Sequence, residues 1–107
     1  MRWPVWRIAV AERSMEPVLY PGDWLLAWRG LRRGRALRIR TGQLVIASHP
    51  ARPELLLVKR AARPQPGGWW LESDNPGVGT VDSRSFGPVP ISLIRGRVLL
   101  RYRRGPR

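Results

Sequence analysis

Eleven prolines and eleven glycines divide this chain of 107 residues into short pieces, and none of the pieces has the length and the capping residues of an ordinary amphipathic helix. The apolar residues lie instead in short runs bounded by Pro, Gly or Asp, which is the pattern of β-strands. In residues 36–40 apolar and basic side chains alternate, as they do in a half-buried strand. We therefore predict an all-β fold, with strands at residues 7–11, 24–28, 36–40, 44–48, 55–60, 69–72 and 97–102.

The segments between these strands leave room for isolated helical turns only, which we expect at residues 14–19 and near residues 90–94. Residues 61–68 contain two prolines and two glycines, and we expect them to connect the strands of a hairpin. A chain of this length fits a single domain, residues 1–107, with a real core but without space for a separate specificity domain.

The residue types that support many enzyme sites are scarce in this chain. There is no cysteine, which excludes a disulfide framework, a thiol nucleophile and a cysteine-based metal centre. The single histidine, His49, precedes Pro50 in a turn-like stretch, and no serine lies in a Gly-x-Ser-x-Gly elbow. We therefore expect His49 at the surface, and neither a serine–histidine–acid triad nor a metal site.

The formal charge of +13 raises nucleic acid or an anionic membrane as a partner, because clustered arginines neutralise phosphates. The densest basic run, residues 29–40, lacks the interleaved aromatics of a single-strand stacking platform and the periodicity of a recognition helix. We expect a solvated loop and edge strand there, and no nucleic-acid partner. An acidic partner or a peripheral contact with a membrane stays open as the alternative.

No apolar stretch approaches the ~20 residues that cross a bilayer. Residues 1–10 are too short, and too interrupted by Arg2, Pro4 and Arg7, for a secretory signal peptide. We expect Trp3 and Trp6 to pack into the domain, with a position at a membrane interface as the alternative. The expected location is cytoplasmic, with peripheral association with a membrane left open.

Lys59 is the only lysine in a chain that carries nineteen arginines. Because arginine cannot lose its proton and lysine can, a lone lysine indicates a position where proton transfer is needed. The alternative is a GC-rich coding bias that replaced every other lysine and left this one by accident. Lys59 follows the apolar run 55–58, and a neutral amine at its end could take the proton of Ser14.

A lysine that acts as a base near neutral pH must be largely neutral there. Its pKa of about 10.4 must fall by roughly 3 units, at a cost of about 4 kcal/mol, which requires burial against apolar groups. Residues 55–58 could supply some of these apolar groups. The adjacent Arg60 should point to the opposite face of the strand, where its charge can reach water.

Four blocks of sequence follow one another in a specific order: Ser14-Met15-Glu16-Pro17, Pro21-Gly22-Asp23, Lys59-Arg60, and Asp74-Asn75-Pro76 leading to Asp82-Ser83-Arg84. In this order and spacing they resemble the signal peptidase I superfamily over nearly the whole chain. That resemblance implies a β-structured serine/lysine protease domain of the signal-peptidase and LexA-like type. Within the superfamily, the short length and residues 68–76 look most like the nickel-type superoxide dismutase maturation protease, which removes an N-terminal leader from its dismutase precursor.

The resemblance implies a role for each matching residue and no cofactor. Ser14 would be the nucleophile and Lys59 the general base, while the Thr80 hydroxyl would orient the lysine. Asp82 and Arg84 would form an ion pair that holds their loop. The remaining matches would shape turns or the substrate side of the site: Met15, Pro17, Gly22, Asp23, Asp74 and Asn75.

Two residues depart from the pattern of the family. Ser73 stands where the family usually has glycine before Asp-Asn. Glu12 lies two residues before Ser14, where many signal peptidases have a serine or glycine, and a serine there can help to bind the oxyanion. Because a carboxylate would repel an oxyanion, we expect Glu12 to point away, toward Arg13 or Arg7, and to leave the Ser14 backbone N–H as a donor.

The resulting prediction is a serine endopeptidase that cleaves one peptide bond near the N-terminus of a precursor protein, and the resemblance implies nickel superoxide dismutase as that precursor. The substrate strand is expected to add to a sheet edge. Two alternatives remain open: a membrane-peripheral signal peptidase acting on exported proteins, and a basic module that binds nucleic acid or acidic protein without catalysis. The self-cleaving domain of LexA-type repressors is similar in fold, but we see no DNA-binding domain or internal cleavage segment in the sequence.

Overall fold

A computed structural model of the chain describes residues 4–29, 38–78 and 81–106. These residues form one seven-stranded sheet in which every paired strand is antiparallel, so the predicted all-β class is confirmed. One short helix, α1 (Ser83–Phe86), and two 3₁₀ turns, Pro76–Val78 and Ile91–Leu93, accompany the sheet. The strands are β1 (Val5–Ala9), β2 (Trp24–Trp28), β3 (Leu44–His49), β4 (Arg52–Gln65), β5 (Gly68–Glu72), β6 (Val89–Pro90) and β7 (Ile94–Arg103).

The order of strands across the sheet is β1-β2-β7-β3-β4-β5-β6, so the last strand returns to lie between β2 and β3. Ile8 of β1 and Val58 of β4 nevertheless pack against the same buried cluster, although three strands separate them in the sheet. The sheet therefore curls until its first strand faces β4. This curl places the turn after β1 beside the middle of β4.

β4 is longer than the sequence predicts. Residues 61–65, expected to be a connection, continue the strand and pair with β5, and the turn itself is only Pro66-Gly67, with Gly67 at φ 79°. Pro64 is tolerated inside the strand because the pairing of β3 with β4 reaches only to Arg60. Beyond that residue β4 has β5 as its one strand neighbour among the described residues, so a missing N–H interrupts no second ladder.

The strand predicted at residues 36–40 is wrong for its described part, because Arg38, Ile39 and Arg40 lie outside any strand; residues 36 and 37 are not among the described residues. A turn forms there instead of a strand. The Arg40 backbone N–H donates to Gln43 Oε1 at 2.8 Å, and Gly42 adopts φ 93°, which glycine accepts without strain. Ile39 still packs against the core.

The other boundaries differ in smaller ways. β1 begins and ends two residues earlier than predicted, since Val10 leaves the strand to exchange hydrogen bonds with Gly22 and Asp23. Residues 14–19 form a single turn, closed by the Leu19 N–H on the Met15 carbonyl at 2.9 Å. The turn near residues 90–94 is confirmed as a 3₁₀ turn, whereas α1 was not predicted.

Two buried clusters form the core. The larger one lies under β3, β4 and β5, and the smaller one combines Val10, Met15, Leu19 and Leu25. Met15 is 1% exposed. Burial of a side chain of this size contributes about 1.5–3 kcal/mol, so the turn that carries Ser14 is anchored to the core by the residue that follows it.

The aromatic residues named in the sequence pack as follows. Trp6 packs into the domain as predicted: its ring fills the space where a side chain on Gly96 would lie, and Arg29 stacks over it at 4.4 Å. Trp3 lies outside the described residues. His49 was expected at the surface and is half-buried, with its ring 5.0 Å from that of Phe86. No helix among the described residues is long and apolar enough to span a bilayer.

Candidate active site

Ser14 lies in the turn after β1 and is held from two sides. Below it, Met15 is buried, and Met15 Sδ accepts a hydrogen bond from the Asp74 N–H at 3.4 Å. Beside it, the Asn75 N–H donates to the Ser14 carbonyl at 2.8 Å, and the Asn75 side-chain amide donates to the Arg13 carbonyl at 3.1 Å. The backbone of the turn that carries Ser14 is therefore held by Asp74 and Asn75, which the sequence blocks singled out.

Lys59 lies in the middle of β4 and points into the protein. From Leu57 to Ala62, buried and half-buried residues alternate along this strand, and Lys59 is 2% exposed. Its Nζ lies 2.8 Å from Ser14 Oγ and 3.1 Å from Ser73 Oγ. The only lysine of the chain thus contacts the hydroxyl that the sequence paired with it, from 45 residues away.

Burial lowers the pKa of Lys59 below its ordinary value, because a charged ammonium group loses hydration inside the protein. The negative charges of Asp82, Glu12 and Asp74 act in the opposite direction and raise this pKa, but burial is the larger effect. A larger fraction of the amine is therefore neutral near pH 7 than in an exposed lysine. A neutral amine beside a serine hydroxyl can take the hydroxyl proton and activate the oxygen as a nucleophile.

Asp82 is fully buried and connects three parts of the site. Its Oδ2 accepts hydrogen bonds from the Ser73 N–H at 2.8 Å and from the Arg84 guanidinium at 3.0 Å. Its Oδ1 accepts from the Arg84 backbone N–H at 2.9 Å and so caps the start of α1. Arg84 also lies 3.3 Å from Glu72. Asp82 and Arg84 thus form an ion pair that fixes the loop beside Lys59.

The remaining residues selected from the sequence have different surroundings. Asp74 forms a two-pronged ion pair with Arg60, which lies on the face of β4 opposite to Lys59. Asp23 is fully buried and accepts hydrogen bonds from the backbone N–H groups of Tyr20 and Gly105. Gly22, at φ 91°, lies against Gly105, so these two residues support the end of the chain.

Pro17 is exposed in the turn that follows Ser14, after a cis peptide bond, and it does not line the cavity beside the serine. Thr80, which the sequence assigned to orienting the lysine, lies outside the described residues. Ser73 makes a contact with Lys59 that sequence reasoning missed. The one indication in the sequence was that Ser73 stands where the family it resembles usually has glycine. That difference did not reveal where the side chain points.

Glu12 does not follow the expectation from the sequence. Arg13, its expected partner, pairs with Glu16 at 3.3 Å, and Glu12 makes no hydrogen bond or ion pair with another of the described residues. Glu12 instead lines the cavity that contains Ser14 and Lys59, and its charge raises the pKa of the lysine. The expected contact with Arg13 is not formed, because Arg13 pairs with Glu16, and Glu12 makes no ion pair with Arg7 either.

A cavity of about 90 Å³ extends from Ser14 and Lys59 between the end of β1 and the first half of β4. β1 is an edge strand of the sheet, and β5 pairs with β4 only from Arg60 onward. Within the described residues, both walls therefore have a strand side without a strand partner. Most of the lining is apolar: Ile8, Ala9, Val10, Ala11, Met15, Leu55, Leu56, Leu57 and Val58.

Across residues 4–29, 38–78 and 81–106, no three His, Cys, Asp or Glu side chains lie close enough together to hold an ion. The groups that the cavity brings together are a hydroxyl, an amine and a carboxylate: Ser14, Lys59 and Glu12.

No protein-family model matches the chain. It is similar to proteins named mitochondrial inner membrane protease subunit 1, with 35% identity over 108 residues to that of Xenopus tropicalis and 33% to those of Homo sapiens and Mus musculus. Each comparison covers 82% of this chain and 63% of the relative, so the chain spans less than two thirds of their length. The homologues of this chain are thus protease subunits, which supports a peptidase; none of these names refers to a dismutase.

Proposed function

We propose that this chain is a serine endopeptidase of the signal peptidase I type, with Ser14 as nucleophile and Lys59 as general base. One observation carries the proposal: Lys59 Nζ lies 2.8 Å from Ser14 Oγ in a site where burial lowers the pKa of the lysine. A buried lysine costs stability unless it is paired or neutral. A hydroxyl as its neighbour, at the end of an apolar cavity, is the environment that a general base requires.

In the proposed reaction, the neutral Lys59 amine takes the proton of Ser14 while Ser14 Oγ attacks the carbonyl carbon of the scissile peptide bond. The tetrahedral intermediate collapses as the Lys59 ammonium returns that proton to the departing amine, which leaves an acyl-enzyme on Ser14. Lys59 then takes a proton from a water molecule that attacks the ester. As the second tetrahedral intermediate collapses, the Lys59 ammonium gives that proton to Ser14 Oγ, so the acid product leaves and the serine hydroxyl is restored.

The oxyanion of the intermediate needs hydrogen-bond donors, and the Ser14 backbone N–H is the proposed one. Glu12 lines the same cavity and would oppose negative charge there. Thr80 keeps its proposed role of orienting the Lys59 amine through its hydroxyl. Asp82 and Arg84 are proposed to support the loop that lies beside the lysine.

The proposed substrate is an extended segment of a precursor protein that adds as a strand between β1 and β4. Two observations support this: the strand sides without partners along the cavity walls, and the apolar lining of the cavity. A cavity of about 90 Å³ suits small side chains next to the scissile bond better than large ones. Cleavage there would release an N-terminal leader.

The sequence resemblance of residues 68–76 suggests the nickel superoxide dismutase precursor as the substrate. A second candidate is a membrane-peripheral signal peptidase that acts on exported proteins, and the names of the inner-membrane protease relatives favour it. The two candidates share the chemistry of Ser14 and Lys59. They differ in the precursor that is cleaved and in the location of the enzyme, cytoplasmic in the first case and at a membrane surface in the second.

The function is tested by incubating the purified protein with two precursors, a nickel superoxide dismutase carrying its leader and an exported protein carrying its signal peptide. Intact-mass spectrometry of the products identifies the bond that is cleaved. We expect one new N-terminus from one precursor with the wild type and none with Ser14→Ala, whose thermal unfolding should match that of the wild type. Cleavage by the purified Ser14→Ala variant would refute the proposal.

A further inference from the structure

The Lys59 amine contacts two hydroxyls among the described residues, Ser14 Oγ at 2.8 Å and Ser73 Oγ at 3.1 Å. All three groups lie in the interior or at its edge, with Lys59 2% and Ser73 4% exposed. The contact to Ser14 is explained by the proposed proton transfer. The contact to Ser73 is not explained in this way, and the family that the sequence resembles usually has glycine at this position.

A neutral amine must be oriented before it can act as a base, and the second hydroxyl can orient it. A neutral Lys59 nitrogen has one lone pair and two N–H groups, and only the lone pair can accept the Ser14 proton. Rotation about the Cε–Nζ bond offers three staggered orientations, one of which directs the lone pair at Ser14 Oγ. An N–H donated to Ser73 Oγ stabilises an orientation in which the lone pair is available to Ser14.

Ser73 is itself held in place, which a positioning group must be. It follows the last residue of β5, and its backbone N–H donates to the buried Asp82 carboxylate at 2.8 Å. Asp82 is fixed in turn by Arg84 at 3.0 Å. The hydroxyl therefore reaches Lys59 from a position next to the end of β5 whose backbone is held by Asp82.

We propose that Ser73 is a positioning residue that orients the Lys59 amine toward Ser14. The inference rests on the proposed serine/lysine mechanism and adds to it a hydroxyl at a position where the family usually has glycine.

The kinetic test compares Ser73→Ala with Ser73→Thr, which keeps a hydroxyl, on the precursor that the wild type cleaves. Ser48→Ala is the matched control, because Ser48 is also a buried serine whose Oγ accepts a hydrogen bond, from Arg95 at 2.9 Å. We expect Ser73→Ala to lower kcat by ~10-fold or more, the scale for a misoriented base, with KM within about two-fold of wild type. Ser73→Thr should restore most of kcat, and Ser48→Ala should leave it unchanged.

A second readout needs no substrate. Because Lys59 is the only lysine, growth on ¹³Cε-labelled lysine gives a single labelled side chain whose chemical shift follows its protonation. Loss of the Ser73 hydroxyl, which accepts best from the charged amine, should move the titration midpoint to lower pH in Ser73→Ala. The midpoint in Ser48→Ala should stay at that of the wild type.

The outcomes separate this inference from the proposed function. A Ser73→Ala variant with kcat and midpoint equal to the wild type, while Ser14→Ala is inactive, overturns the role of Ser73 and leaves the mechanism standing. A wild type that cleaves neither precursor, or a Ser14→Ala variant that cleaves as well as the wild type, overturns the mechanism. If Ser73→Thr fails to fold, a Ser73→Ala variant that loses no more kcat than Ser48→Ala still overturns the inference.

Discussion

Glu12 lines the same cavity as Lys59, and its negative charge raises the pKa of the lysine against the effect of burial. Two charged groups of opposite sign thus share a site whose proposed chemistry needs the lysine neutral and must accommodate an oxyanion. Removal of the Glu12 charge should lower the pKa of Lys59 and should also remove a repulsion of the oxyanion.

Glu12→Gln should therefore move the pH–rate profile to lower pH and increase the rate at pH 7 by roughly two-fold or more, since even a small change in the free energy of protonation alters the neutral fraction. Precursor cleavage between pH 6 and 10 measures both effects. Glu54→Gln is the control, because Glu54 is exposed in β4 and does not line the cavity. A Glu12→Gln enzyme that is slower at pH 7 would instead assign Glu12 a contact with the substrate.

In the wild-type enzyme, kcat/KM should rise with pH as Lys59 loses its proton, because the neutral amine is the active form. Burial lowers the pKa of this group, so the rise should be centred below the ordinary lysine value of about 10.4. The titration of the single labelled lysine should give the same midpoint in the free protein. A rate that rises only near pH 10 would contradict a buried base.

Lys59→Arg should abolish processing, with a loss of ~100-fold or more, because the guanidinium keeps the charge and most of the stem but cannot give up its proton. A purely structural or phosphate-binding role would tolerate this change. Circular dichroism and thermal unfolding check that the variant is folded. Activity within a few-fold of the wild type would indicate that coding bias, and not catalysis, explains the single lysine.

Thr80→Ser should keep activity, and Thr80→Val, which has a similar shape but no hydroxyl, should lose ~10-fold in kcat. The reason is the predicted contact of the Thr80 hydroxyl with the Lys59 amine. Combining Thr80→Val with Ser73→Ala tests whether the two hydroxyls act on the same amine, in which case their effects will not be additive. A fully active Thr80→Val enzyme would remove Thr80 from the site.

Asp82→Ala should lower the free energy of unfolding by about 2 kcal/mol, because it leaves the buried Ser73 N–H without its acceptor and removes the partner of Arg84. Urea unfolding followed by tryptophan fluorescence measures the change. Glu54→Ala, an exposed position in β4, should stay within 0.5 kcal/mol of the wild type, on the order expected for a surface substitution. An equal loss in both variants would show that Asp82 has no special structural role.

The sequence by itself determined the fold class and the central pair of the candidate site. Proline and glycine limit each segment locally, so the all-β class and strands such as Trp24–Trp28 follow from short-range chemistry. The lone lysine, Lys59, is also a property of composition, and its pairing with Ser14 followed from the order of the sequence blocks.

Only the tertiary structure decided how the groups around that pair are arranged. The curl of the sheet brings β1 to β4, and the course of the chain after β5 directs the Ser73 hydroxyl at Lys59. Arg13 pairs with Glu16, and Glu12 lines the cavity. Each of these outcomes depends on packing between residues that are distant in sequence or on competition between neighbours of equal charge. Local patterns of residues do not encode either of them.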